Sequence, residues 1–125
     1  MHIDHTTLRT EQLELTKDFL VRVFDLVEGP RPALIAANIP GHWLYHRDAP
    51  LIHLILSKPH PGSPVGYAVE AIDHTAFFMD DFEAFKKKLE DLDIHYTLME
   101  LPDIGERRIF IQTPTRILLE TVFRD

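Results

Sequence analysis

A chain of 125 residues, 45% hydrophobic and 26% charged, is long enough for one compact domain that buries about two-thirds of the surface it would expose unfolded. Its net charge of -7, from 13 basic against 20 acidic side chains, argues against a nucleic-acid partner, because gripping a phosphate backbone takes a basic face. No apolar run approaches the ~20 residues of a membrane span, the opening Met1-His2-Ile3-Asp4 reads as strand rather than secretory signal, and cysteine is absent; a cytoplasmic protein off the membrane is expected, and any metal must be held by nitrogen and oxygen.

Residues 2–9 alternate as a strand, which puts Ile3, His5, Thr7 and Arg9 on one face. Thr10 is expected to cap a helix whose apolar stripe, Leu13, Thr16, Leu20, Val23, Phe24 and Val27, ends near Gly29-Pro30. The Pro-punctuated stretch 31–40 reads as one short strand around 33–37. Residues 43–45 and 51–56 read as two strands joined by a hairpin turn over 46–50.

A Pro- and Gly-rich connector, about 58–69, then separates two halves, about 1–57 and 70–125. The second half opens with a strand over 70–78. A helix follows, started by Asp80 with Glu83 three residues on as a capping box, and Phe82, Phe85, Leu89 and Leu92 form its apolar face. Strands at 94–100, 106–112 and 116–123 complete it. Each half is thus βαβββ, and the expected fold is α+β: two tandem modules whose sheets turn their helix-free faces toward a half-open cavity.

The two halves are also echoes in sequence. Ile3-Asp4-His5-Thr6-Thr7-Leu8 returns 69 residues later as Ile72-Asp73-His74-Thr75-Ala76-Phe77, and Leu51-Ile52-His53-Leu54-Ile55-Leu56 precedes Leu118-Leu119-Glu120-Thr121-Val122-Phe123 by 67. Each unit therefore offers two metal-competent side chains, His5 with His53 and His74 with Glu120. A carboxylate in an apolar strand is costly unless a cation or donors meet it. Glu120 could be met by Arg108 or Arg116, and a single histidine in an apolar strand is more often a core residue than a ligand. Four ligand-type residues at equivalent positions of two repeats favour a metal site. Asp4 and Asp73, turned to the opposite face by strand alternation, read as structural.

On these motifs, and on the closing strand Leu118-Leu119-Glu120-Thr121-Val122, the chain resembles the vicinal oxygen chelate superfamily, which includes glyoxalase I, fosfomycin-resistance thiol transferases, extradiol dioxygenases, methylmalonyl-CoA epimerase and bleomycin-resistance proteins. The resemblance implies one divalent metal ion (Zn, Ni, Fe, Mn or Co) on His5, His53, His74 and Glu120, with Glu120 also the proton-moving catalytic base and Arg9 meeting an anionic group of the substrate. It implies a metal-dependent lyase or isomerase of the glyoxalase type, acting on a small molecule with adjacent oxygens, and a homodimer. Glyoxalase I enzymes usually carry glutamate where this chain has His53, and Thr113-Pro114-Thr115-Arg116 replaces the family's Asp-Pro-x-Gly turn. The two-histidine, one-glutamate sites of fosfomycin enzymes and extradiol dioxygenases would leave His53 as an acid or base facing the substrate. The alternatives are thus a ferrous extradiol-type dioxygenase and a metal-free small-molecule-binding protein of the bleomycin-resistance kind.

Overall fold

The computed structural model describes residues 1–125. In chain order the elements are β1 (His2–Thr10), α1 (Leu13–Phe24), β2 (Val27–Gly29), α2 (Ala33–Asn38), β3 (Gly41–His46), β4 (Ala49–Leu56), β5 (Ala71–Phe78), α3 (Phe82–Asp91), β6 (Thr97–Leu101), a 3-10 turn (Pro102–Ile104), β7 (Glu106–Gln112) and β8 (Leu118–Arg124). This is the α+β composition and the doubled βαβββ order read from the sequence, with α2 inserted between two strands of the first repeat. The residues fall into two compact units, His5–Asp73, and His74–Asp125 together with Met1–Asp4.

In the unit His5–Asp73 the strands lie in the order β2-β3-β4-β1, with β1 parallel to β4 and the other pairs antiparallel. Leu26, Leu44 and Leu54 form its buried core, and Leu13, Leu20 and Val21 of α1 pack on them. Leu13 lies two helical turns before Leu20 and Val21, so the three share one face, as an amphipathic helix requires. The rest of the predicted stripe does not bury: Val23 and Phe24 are exposed, and the helix stops at Asp25, which takes the left-handed conformation (φ 56°) as C-cap. Val27, expected inside the helix, starts β2 instead.

Thr10 is not the N-cap. Gln12 holds that position, and the Thr10 hydroxyl accepts the Gln12 N–H at 2.9 Å from the end of β1. The strand expected around 33–37 is the helix α2, entered from Pro32 and buried through Ile35. Its Ala-Leu-Ile-Ala-Ala-Asn sequence contains good helix formers, and Arg31 donates to the Ile39 carbonyl at 2.6 Å, holding one end of the helix to the other. The hairpin turn is shorter than read, because β3 runs to His46 and β4 starts at Ala49.

Gly41 begins β3 opposite Ile55, and a Cβ there would stand 1.9 Å from the Leu54 carbonyl oxygen. Only glycine lets the two strands approach this closely.

The second unit orders its strands β5-β8-β7-β6, with β5 parallel to β8 and the other pairs antiparallel. Phe82 and Leu89 of α3 pack with Ile109 and Phe123, and Phe85 adds a partly buried ring. Leu92 was expected on that face but is exposed, since it is already the C-cap. The N-cap is Asp81 rather than Asp80, its carboxylate accepting the Ala84 N–H at 3.0 Å. No helix is long and apolar enough to cross a membrane.

The strand registers bear out the duplication. His5 lies two residues before Thr7, which pairs with His53, and His74 lies two residues before Ala76, which pairs with Glu120. Two steps along a strand return to the same face, so each repeat aims its β1- or β5-borne histidine at the ligand-type residue of its parallel neighbour.

Candidate metal centre

The unit His5–Asp73 answers with a stack of rings. The imidazoles of His5 and His53 lie face to face, centroids 3.6 Å apart and planes 19° from parallel. The Trp43 indole covers the other face of His53 at 3.9 Å and 10°. Trp43 pairs directly with His53 across β3 and β4, which explains the contact: side chains opposite each other on one sheet face sit within reach of stacking. All three are buried, His5 to 1% exposure.

Arg9, two positions beyond Thr7, is fixed by several partners. Its Nη1 pairs with Asp73 Oδ1 at 3.0 Å, its Nε donates to the Ala68 carbonyl at 2.8 Å, and its guanidinium lies 4.6 Å over the Tyr67 ring. Asp73, read as structural, is thus an ion-pair partner.

The other unit holds a ladder of charges. His74 Nε2 lies 2.9 Å from Glu120 Oε2, while Glu120 Oε1 accepts from Arg108 Nη1 at 3.2 Å. Arg108 also donates to Glu106 Oε1 through Nη2 (2.6 Å) and Nε (3.3 Å), and Glu106 Oε2 accepts from Arg124 Nε at 2.8 Å. Arg124 ends the ladder on Asp4 Oδ1 at 2.6 Å, which gives Asp4 its structural role. Burial tends to lower the Arg124 pKa, but its two carboxylate partners outweigh that and leave it above its ordinary value. Glu120 is 1% exposed, so the donors around it replace the water it has lost.

Of the two arginines weighed from the sequence, Arg108 takes this part; Arg116 sits in the turn before β8 with φ 72°. The sequence singled out Glu120 yet missed Glu106, which alternation places on the Arg108 face two residues along β7.

Phe110 pairs with Glu120 across β7 and β8 and meets the His74 ring edge-on at 5.8 Å. Phe78 lies between the His2 ring, 5.0 Å away, and the Arg124 guanidinium, 4.9 Å away. The Tyr45 hydroxyl donates to the Pro30 carbonyl.

Two donor types are present in quantity, imidazole nitrogen and carboxylate oxygen, which suit first-row divalent metals. The sequence profile of the Glyoxalase/Bleomycin resistance protein/Dioxygenase superfamily matches residues 2–121. The chain belongs to this superfamily. Among solved structures, a methylmalonyl-CoA epimerase from Mycobacterium tuberculosis is similar in fold, with TM-score 0.74 and 16% identity over 99% of this chain and 88% of that one. A variant methylmalonyl-CoA epimerase from Streptomyces coelicolor, in complex with 2-nitronate-propionyl-CoA, gives TM-score 0.69 and 20% identity over 99% of this chain and 97% of that one. A mutant 4-hydroxymandelate synthase from Streptomyces coelicolor gives 0.72 and 16%, covering 98% of this chain and 48% of that one. At such identities the likeness is one of fold. No match was found among curated proteins. The two units of this chain are unlike, with a histidine stack in one and a carboxylate–arginine ladder in the other.

Proposed function

We propose that this superfamily member is a metal-dependent isomerase or lyase of the glyoxalase type, with His5, His74 and Glu120 holding one divalent ion. The observation that carries the reading is the pair His74 Nε2 and Glu120 Oε2, 2.9 Å apart, the histidine partly and the glutamate fully buried. Two donors each about 2.1 Å from an ion stand roughly 3.0 Å apart at a right angle and roughly 3.4 Å apart at the tetrahedral angle, so the pair suits a shared ion with little movement.

The stack supports leaving His53 off that ion. Two parallel imidazoles cannot both aim in-plane lone pairs at one ion: midway between rings 3.6 Å apart, it would lie about 1.8 Å out of each plane, most of a ~2.1 Å bond. His53 instead fixes the tilt of His5, with Trp43 behind it.

When bound, the ion supplies Lewis acidity to a pair of adjacent substrate oxygens. The protein's own groups do the rest. Arg108 holds Glu120 Oε1, so Oε2 is the oxygen that would meet the ion and that, once free of it, would accept a proton from the substrate carbon. Phe110, edge-on to His74, keeps water from that side of the ring. Arg9 is the candidate for an anionic substrate group, and it would have to exchange its Asp73 contact to meet one. Two copies pairing through unpaired strand edges belong to the same proposal, checked by sedimentation equilibrium.

The test is metal content of the full chain purified without added metal and then resupplied, for the wild type, His74→Ala and Glu120→Ala. Exchange of the hydroxymethyl protons of hydroxyacetone in D2O is followed in parallel by proton NMR. Stoichiometric uptake by the wild type, lost in both variants, with metal-dependent exchange, is expected. A wild type that takes up no divalent ion when supplied overturns the reading in favour of a metal-free binding protein. Ferrous loading with oxygen uptake on catechols would replace it with the dioxygenase.

A further inference from the structure

The second unit contains a cavity of about 740 Å3 that the metal centre does not use. It opens where β6, β7 and β8 meet, and its lining includes Ile94, His95, Phe110, Gln112, Leu118 and Leu119. This volume falls within the range for small-molecule sites, roughly 300–1,000 Å3. None of the lining residues is lysine, arginine, aspartate or glutamate.

Register fixes how the cavity relates to Glu120. Thr97 pairs with Phe110, and Phe110 pairs with Glu120, so the three side chains lie in a row on one sheet face. Gln112 and Leu118, a further cross-strand pair, lie one step along that face. Phe110 is therefore shared: it is the wall toward His74 and also part of the cavity lining. A molecule whose oxygens reach Glu120 can extend past Phe110 into this space.

We propose that the cavity is the site for an uncharged apolar or aromatic portion of the substrate. Its ring stacks on Phe110 and Leu118, and the Gln112 amide at the rim takes one hydrogen bond. With no lysine or arginine in its lining, the cavity offers a phosphorylated tail none of the cationic side chains that hold phosphate best. This chain would then differ in ligand class from the epimerase in complex with 2-nitronate-propionyl-CoA, whose coenzyme tail carries phosphates. The inference rests on the metal-site reading only for which part of the substrate enters the cavity.

The probe is acetophenone, an aromatic ketone without adjacent oxygens, offered to the full metal-free chain and followed by titration calorimetry and ligand-observed NMR. One binding site is expected, with no competition from free coenzyme A. Leu118→Asp should weaken binding at least tenfold. Should that variant fold poorly by circular dichroism, Gln112→Glu places the charge at an exposed position and should weaken binding in the same direction. Absence of acetophenone binding, displacement by coenzyme A, or equal affinity in a folded variant overturns the proposal. Because the probe needs no metal, failure here leaves metal uptake intact, and failure of metal uptake leaves acetophenone binding intact.

Discussion

Glu120 divides its two carboxylate oxygens between two partners, Oε2 toward His74 Nε2 at 2.9 Å and Oε1 toward Arg108 Nη1 at 3.2 Å. One oxygen is thereby tied to the arginine ladder and the other to the histidine. Glu120→Gln keeps the shape but removes the charge, so divalent-ion affinity should fall by at least tenfold while the fold persists. Calorimetric titration with zinc, beside a thermal melt, checks both halves of this expectation.

Removing Arg108 is a different experiment. Its guanidinium holds two buried carboxylates, Glu106 and Glu120, and Arg108→Met would leave Glu106 with Arg124 alone and Glu120 with His74 alone. Breaking a buried ion pair from one side costs about 3–5 kcal/mol, a large share of the roughly 5–15 kcal/mol stability of an ordinary domain. The urea midpoint should drop accordingly. A variant as stable as wild type would show that the ladder contributes nothing.

His53→Phe retains a flat ring between His5 and Trp43 and should keep the near-ultraviolet dichroism of the indole, metal stoichiometry and approximate zinc affinity. Loss of bound metal from this folded variant would restore His53 as a ligand.

Gly41→Ala would push a methyl group against the Leu54 carbonyl, where a Cβ has only 1.9 Å. Backbone cannot swing aside as a side chain can, so β3 must separate from β4. We expect destabilisation of about 1–3 kcal/mol or more, read from the urea midpoint, with faster amide exchange along both strands.

On the acid side, His42 bridges two carboxylates, its Nε2 at 2.8 Å from Glu14 and its Nδ1 at 2.7 Å from Glu28. Glu14 is held below the ordinary 4.5 first by Lys17 and then by His42, and Glu28 first by His42 and then by Lys17. A depressed carboxylate stabilises the fold fully above its unfolded value and loses that contribution as pH falls through the folded one. The urea-midpoint gap between wild type and Glu28→Gln should therefore be present at about pH 5 and shrink as the pH falls below 4.5. A gap that persists unchanged at pH 3 would refute the coupling.

The repeat was legible because strand periodicity and ligand chemistry coincide at His5, His53, His74 and Glu120, and the registers Thr7 with His53 and Ala76 with Glu120 follow from it. What escaped was set by tertiary contact. The stretch 33–37 is flanked by prolines that punctuate strands and helices alike, and the burial of Ile35 that favours α2 is invisible in one dimension. Val23 and Leu92 fit apolar stripes by spacing, but their helices end where Asp25 and Leu92 itself take up cap positions. The stacking that separates His53 from His5 depends on Trp43 coming from a third strand.

The pairing of Arg124 with Asp4 joins residues 120 apart in sequence, inside a unit that otherwise runs from His74 to Asp125. That unit therefore cannot finish folding by local steps. During synthesis Asp4 has to remain available until Arg124 has been made, whereas the His2 ring can meet Phe78 much sooner. Closing so long a loop carries a larger entropic cost than joining Glu106 to Arg124, which lie only 18 residues apart. The carboxylate–arginine ladder is thus tied at its far end to β1, so the N-terminal strand helps to hold the unit that carries Glu120.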